Sequence, residues 1–439
     1  MVKFVLHCLF FSSLCFSFTT SKGQSREEIF TLLKESEIAQ SHFTGFVLYD
    51  LDADSLIYGE NENKYFVPAS NTKLYTMYTA LQMLGDSIPS IRYTISGDSL
   101  IFWGTGDPTL FREDFNSEKV YGLLRYASQK LYYAYDNYQG NFYGRGWPYG
   151  DYDAYYQAEI NALPFGGNLA HFYRDDTTGK LEAKPNYFNL FIQPDTITIP
   201  RRFQVTRDLT SNQFYRSRMD IPTSFSTFIP WKTSPRLTAA LLEDTLKRPV
   251  TPIEKPMPKD AITVYSNPID SVLKALMLPS DNFIAEQLLL VCSSTLGEEL
   301  NTQKAIKHSL DNYLSDLPHK PNWTDGSGLS RSNLFTPMDH IEILKKLLKR
   351  IPDQHRLFSM LPAGGESGTL KNAYKLDRGE VFVWGKTGTL GGVHNQSGYI
   401  ITRKGKRLLY SFQNNNYVRP TSEVRDEMGR IMTTIRKEY

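Results

Sequence analysis

Three short clusters in this 439-residue chain carry residue types that can do chemistry together: Ser70-Asn71-Thr72-Lys73, Ser280-Asp281-Asn282 and Lys386-Thr387-Gly388-Thr389. In the first, residues three apart on a helix share a face, so Lys73 lies beside the Ser70 hydroxyl. A serine hydroxyl is a weak nucleophile until a neighbour takes its proton. Lysine can do so only when neutral, which requires burial or a nearby positive charge, and Lys386 is a source of that charge. Ser70 also stands at a helix start, where free N–H groups favour developing negative charge. In the second cluster, the Ser280 hydroxyl can relay a proton to a leaving amine. The Asn282 amide offers both a donor and an acceptor for a peptide group. In the third, a cation and hydroxyls on a strand rim suit a carboxylate. Gly388 lets a substrate backbone lie close to the strand edge. The N–H groups of Ser70 and Thr389 form the expected oxyanion hole.

Each cluster has a plainer reading. Ser-x-x-Lys arises cheaply, and Ser271 to Lys274 is a second copy, only nine residues before Ser280 and so out of order with the rest. Ser280 or Asp281 can be a helix cap. Lys-Thr-Gly is common in turns, although the apolar run Val381 to Gly385 before it favours a strand. His394 is better read as structural than as a base, and Lys345 to Arg350 as a solvated helix face. No His-Glu-x-x-His pair or Cys/His cluster suggests a metal, no phosphate-cradling loop a nucleotide, and no cofactor is expected.

The elements that must position these clusters fall into two classes. Helical spacing is expected over Arg26 to Ala39, Ser70 to Leu84, Ile269 to Met277, Asn282 to Thr295, Thr302 to Leu314, Met338 to Arg350, and from Ser422. Strands are expected at Phe43 to Asp50, Leu56 to Gly59, Val381 to Gly385, Gly398 to Thr402 and Arg407 to Gln413. Between Arg92 and about Val250 the pattern turns to short alternating runs rich in aromatics, without long amphipathic helices. This predicts an α/β domain assembled from both chain ends, over 25–91 and 261–439, with β-rich material inserted over 92–260. Lys3 followed by the apolar run Phe4 to Phe18 predicts a secretory leader over 1–24. Only Cys292 follows it, leaving no partner for a disulfide within the mature chain. A net charge of +2 gives no footprint for nucleic acid, and no later stretch is apolar enough to span a membrane.

Taken in order, these residues resemble the low-molecular-mass class C penicillin-binding proteins, which are D-alanyl-D-alanine carboxypeptidases and endopeptidases. The likeness extends through Val67 to Leu74, Gly104 to Leu110, Asp281 to Leu288, Asp325-Gly326-Ser327-Gly328-Leu329-Ser330-Arg331, Leu361 to Gly365 with Gly368 to Leu370, and Gly398 to Ile400. It implies a penicillin-recognising, β-lactamase/transpeptidase-like serine hydrolase domain with inserted β-rich domains, and an acyl-enzyme at Ser70. Lys73 is then the base, Ser280 with Asn282 the relay, and Lys386, Thr387 and Thr389 the carboxylate site. Arg331 falls where the family can place a residue near that carboxylate. Trp147 to Asp151 resembles a Trp-x-Trp-Asp-Asp segment that helps recognise the amino end of the peptide's side chain. Here Tyr149 and Gly150 replace the second Trp and the first Asp, which leaves Asp151 as the candidate. The partners implied are peptidoglycan peptides, with β-lactams as inhibitors and the periplasm as the compartment. Two other functions fit the same scaffold: a non-catalytic module binding cell-wall peptides, and a β-lactamase or esterase.

Overall fold

The computed structural model describes residues 27, 29–197, 200–297 and 299–439; the expected leader, 1–24, lies outside them. β-Branched and aromatic runs from the two ends of the chain make one antiparallel sheet. Its strands are β1 (Phe43–Asp50), β2 (Ser55–Glu60), β3 (Val383–Leu390), β4 (Val393–Ile401) and β5 (Arg407–Asn415), in the order β3-β4-β5-β1-β2. The ends join at the centre, where Val47 pairs with Ser411. Side chains of β1 alternate between two cores. Phe46 and Leu48 face the helix Thr421–Glu438, which presents Val424, Met428, Ile431 and Ile435, while Val47 and Tyr49 face a helical layer on the other side.

That layer comprises α1 (Lys73–Met83), α2 (Ile269–Met277), α3 (Asn282–Ser293) and α4 (Pro337–Arg350). α3 is buried on nearly every side, as its apolar run from Phe283 to Cys292 requires. Asp281 caps it by accepting from the Ile284 N–H at 2.9 Å. α4 starts with a Thr336/Asp339 capping box and Pro337 in its first turn.

Two elements differ from the sequence expectation in ways that matter for the site. Ser70 does not open the α-helix: Ala69–Thr72 is a 3₁₀ turn, entered through Ala69 at φ +46°, and α1 proper begins at Lys73. β3 does not end before Lys386. The β-branched Thr387 and Thr389 carry the strand on, pairing with Gln396 and His394, and it turns only at Gly391-Gly392.

The inserted region builds a five-stranded mixed sheet from Val250–Ile253, Lys130–Ala134, Ser99–Gly104, Ser87–Ser96 and Ile262–Pro268, in that order. Two three-stranded sheets follow, one of them with Leu169–Arg174 between Ser226–Pro230 and Leu181–Lys184. The strand Ser87–Ser96 crosses residue 92, and Ile262–Pro268, which starts just past residue 261, pairs with it in this sheet. The region also holds two helices, Glu118–Tyr126 and Pro235–Leu246, whose few apolar positions (Val120 and Leu124; Leu241, Leu242 and Leu246) were hidden among short alternating runs. Its core is separate from those of the end-to-end domain. Buried Gln287 of α3 stitches the two together, donating to the carbonyls of Gly106 and Asn161 and accepting from the Asn161 N–H.

Arg248 donates to four carbonyls, those of Leu124, Arg125, Ala127 and Gln129, and so closes the end of helix Glu118–Tyr126. Arg248→Met strands those acceptors at a cost of ~2–3 kcal/mol. Calorimetry is expected to show a lower transition for the inserted region, while acylation of Ser70 at 25 °C keeps its wild-type rate. A slowed acylation would show that the two parts do not tolerate damage independently.

Candidate active site

The three clusters converge on Lys73. Its ammonium, fully buried, donates to Ser70 Oγ at 2.9 Å, to Asn282 Oδ1 at 2.7 Å and to the Ser327 carbonyl at 2.7 Å. Three donors meet three acceptors, so the charged form is fully satisfied. Loss of one proton leaves a lone pair facing whichever partner can donate, and Ser70, with its hydroxyl hydrogen, is the one that can. Burial pulls the Lys73 pKa down to about 8, against the opposing pull of the Glu286, Asp325 and Asp281 charges. Lys386 is fully buried as well. Its own affinity falls well below the ordinary lysine value, first through burial and then through the charge on Lys73. Of the two causes open from sequence, burial is the one that operates.

The turn that carries Ser70 is pressed against β3. A Cβ on Gly388 would lie 2.6 Å from the Pro68 carbonyl oxygen and 2.8 Å from the Ser70 nitrogen. The glycine therefore makes room first for the turn that carries Ser70. Three asparagines clamp that turn to the sheet. Asn71 donates to the Lys386 carbonyl at 3.1 Å, Asn395 donates to the Val67 carbonyl at 2.8 Å, and Asn415 accepts from the Val67 N–H at 2.8 Å. Gly328, at φ +82°, presses from the other side, where a Cβ would come within 1.8 Å of the Ala69 carbonyl oxygen.

Lys386 Nζ donates to Ser280 Oγ at 2.8 Å and to the Thr387 carbonyl at 2.7 Å, so the second and third clusters are joined by one amine. Ser280 adopts φ +64°, a left-handed conformation that aims its hydroxyl while Asp281 caps α3. The Asn282 amide donates to the Tyr156 carbonyl at 3.1 Å. Thr387 is hydrogen-bonded to Thr369 at 2.7 Å. Thr389, exposed on the strand, lies 2.8 Å from His394 Nδ1, whose pKa burial lowers to about 4; the ring is neutral and supports Thr389.

The remaining two candidates lie outside this cluster. Arg331 is exposed and donates to the Gly391 carbonyl at 2.6 Å, fixing the turn that follows β3. Asp151 accepts from the Tyr156 hydroxyl at 2.8 Å, which sets it at the rim, one residue removed from Asn282.

Sequence reasoning missed Glu286. This buried carboxylate accepts from the N–H groups of Gly326 at 3.0 Å and Ser327 at 2.7 Å, and so holds the loop whose next carbonyl takes Lys73. Two signals were readable: Glu286 follows Asn282 by four residues, hence on one face of α3, and it interrupts an apolar run. Burial, then the charge of Asp325, pushes its pKa up to about 8. Asp325 in turn accepts from the N–H groups of Gly328 and Ser330, from Asn333 and from the Trp147 indole.

The sequence profile of the D-Ala-D-Ala carboxypeptidase 3 (S13) family matches residues 26–187 and 235–435. The D-alanyl-D-alanine carboxypeptidase of Actinomadura sp. (strain R39) is 25% identical over 454 aligned positions, covering 90% of this chain and 81% of the relative. The D-alanyl-D-alanine carboxypeptidase DacB of Haemophilus influenzae is 30% identical over 159 positions, 35% of this chain and 33% of the relative. Among solved structures, penicillin binding protein 4 of Haemophilus influenzae superposes with a TM-score of 0.74 at 20% identity. That match covers 93% of this chain and 99% of the other, and shows the same fold.

If Lys73 must shed its proton to take that of Ser70, the rate of acylation by benzylpenicillin rises with pH through about 8. Glu286 is the largest of the three charges that keep the proton on Lys73, so Glu286→Gln is expected to move that rise to lower pH. A pH–rate profile with an unmoved midpoint would contradict this role.

Proposed function

Because the chain belongs to the D-Ala-D-Ala carboxypeptidase 3 (S13) family, we propose that it hydrolyses the D-alanyl-D-alanine bond of peptidoglycan stem peptides through an ester on Ser70. The observation that carries this reading is the Lys73 ammonium reaching Ser70 and Asn282 at once, with Lys386 on Ser280 beside them.

Ser70 Oγ attacks the carbonyl carbon of the penultimate D-Ala as its proton passes to neutral Lys73. The N–H groups of Ser70 and Thr389 receive the negative charge on the carbonyl oxygen. As the C–N bond breaks, the proton that Lys73 took up passes by way of the Ser280 hydroxyl, which the Lys386 amine orients, to the departing D-Ala amine, and Lys73 is neutral again. Water then adds to the ester carbon and gives a proton to Lys73. The C–O bond breaks, and Ser70 regains its hydrogen. Lys386, Thr387 and Thr389 bind the terminal carboxylate, with Arg331 steadying the turn beside them. Asn282 holds the substrate amide, and Asp151, through Tyr156, meets the amino end of the peptide's side chain. No cofactor enters any step. β-Lactams acylate the same serine because their ring presents the same amide and carboxylate.

In this reading the protein works in the periplasm, after export directed by residues 1–24. No helix among the described residues is long and apolar enough to cross a membrane. We divide the mature chain into an end-to-end catalytic domain and an insertion, near the expected 92 and 260 but with the strands Ser87–Ser96 and Ile262–Pro268 assigned to the insertion. Cleavage of cross-links as an endopeptidase is the same chemistry with a longer leaving group.

Intact mass after brief exposure to benzylpenicillin is expected to show one adduct on wild type and none on Ser70→Ala. Ser280→Ala is expected to slow D-Ala release from an acyl-D-Ala-D-Ala peptide by about 10²–10⁴-fold. A folded wild type that forms no adduct and hydrolyses no drug would sink the enzyme reading and favour a module that only binds cell-wall peptides.

A further inference from the structure

A cavity of about 640 Å³ opens between the insertion and the second motif, and apart from Asn282 and Tyr156 its wall takes no part in the proposed reaction. Asn282 stands on its wall and, through Lys73, is two hydrogen bonds from Ser70 Oγ. A stem peptide is longer than the bond to be cut. Counted back from the scissile carbonyl, three or four extended residues reach roughly 10–14 Å, so the head of the peptide lies well beyond Ser70 itself.

Two aromatic faces line the cavity. Tyr155 is 65% exposed beside Tyr156, and Phe228 is 47% exposed. Phe228 stacks one face on its cross-strand partner His171, with ring centroids 4.3 Å apart and planes 12° from parallel, and leaves the other face open. Burial holds His171 below the usual imidazole range, so the pair is an uncharged platform. The charged side chains on the wall are already matched. Arg112 pairs with Asp114 and Asp281, at 3.0 and 3.1 Å, and Lys184 pairs with Glu113 at 3.4 Å. Asp244 pairs with Lys247 at 2.8 Å, and with Arg112 and Lys184 set against four carboxylates the wall is on balance acidic, which disfavours an anion and offers acceptors to hydroxyl groups. What remains is an apolar ring face surrounded by many hydrogen-bond donors and acceptors, which suits a neutral, hydroxyl-rich ring.

We propose that this cavity binds the N-acetylated amino sugars at the head of the stem peptide, with a pyranose ring laid on Phe228. The proposal rests on the peptidase reading of Ser70 and names the glycan-linked peptide as its preferred substrate. Phe228 lies between the two blocks matched by the family profile, so the platform is a feature of this chain's own insertion. Arg112, on the wall, holds Asp281 between Ser280 and Asn282, which gives an occupant a direct mechanical path to the catalytic loop.

The test compares kcat/KM for a disaccharide-linked pentapeptide with that for the same pentapeptide without sugar. Wild type is expected to favour the former about tenfold, the scale of one well-packed ring contact. Phe228→Ala is expected to lose that preference while the bare peptide and benzylpenicillin acylation keep their rates. Equal wild-type rates for both substrates, or an equal fall on both in the variant, would overturn the proposal. If benzylpenicillin acylates Ser70 but neither peptide is cut, the peptidase reading has failed separately. The peptide-free disaccharide then decides by ligand-observed NMR: binding by wild type that is lost in Phe228→Ala upholds the sugar site, and no binding by wild type ends it.

Discussion

A lysine ammonium held out of water is the constraint on which the rest of this structure depends. A buried cation is tolerated only when its protons are hydrogen-bonded and its charge is opposed. Lys73 meets both conditions with three acceptors from three distant parts of the chain and with the Glu286, Asp325 and Asp281 charges around it. Each acceptor must itself be fixed. Ser70 is fixed by a turn clamped between β3 and Gly328, Asn282 by the capped start of α3, and the Ser327 carbonyl by a loop hung from Glu286. The catalytic geometry is thus what remains when every demand of one buried amine has been met.

Much of this was legible because short-range chemistry has short-range signals. Ser70 and Lys73, three apart, needed only a helical turn to meet. The helices expected at Ile269 to Met277 and Met338 to Arg350 followed from apolar spacing, the second starting one residue earlier at Pro337. The resemblance to a known family, carried by motifs spread over most of the chain, supplied the order in which the pieces assemble. What escaped were contacts whose partners are far apart in sequence. Asn395 and Asn415 fall just outside the expected strands Gly398 to Thr402 and Arg407 to Gln413, and nothing local marks them as clamps on Val67. Glu286 was quoted within a motif yet given no role, because its partners, Gly326 and Ser327, sit forty residues downstream. The 3₁₀ turn at Ala69 was invisible for a related reason: alanine has no preference for positive φ, and only the crowding of Pro68, Gly328 and Gly388 imposes it.

The insertion contributes more than a decorated loop. It has its own core, yet Gln287 and Arg112 bind it to both ends of the Asp281–Gln287 stretch that carries Asn282. Tyr156 meets Asn282 directly. A region that could vary freely as a surface elaboration is in this way given a grip on the residue that orients the substrate amide.

The pairing of β1 with β5 has a consequence for timing. Ser70 lies on the N-terminal side of the insertion, but the sheet that clamps its turn requires residues 407–415, more than 330 positions further along. Such long-range closure is slow. Until it occurs, the Ser70 turn lacks the Asn395 and Asn415 clamps and the strand edge at Gly388. The surroundings of Ser70 are therefore complete only once the two ends of the fold have met.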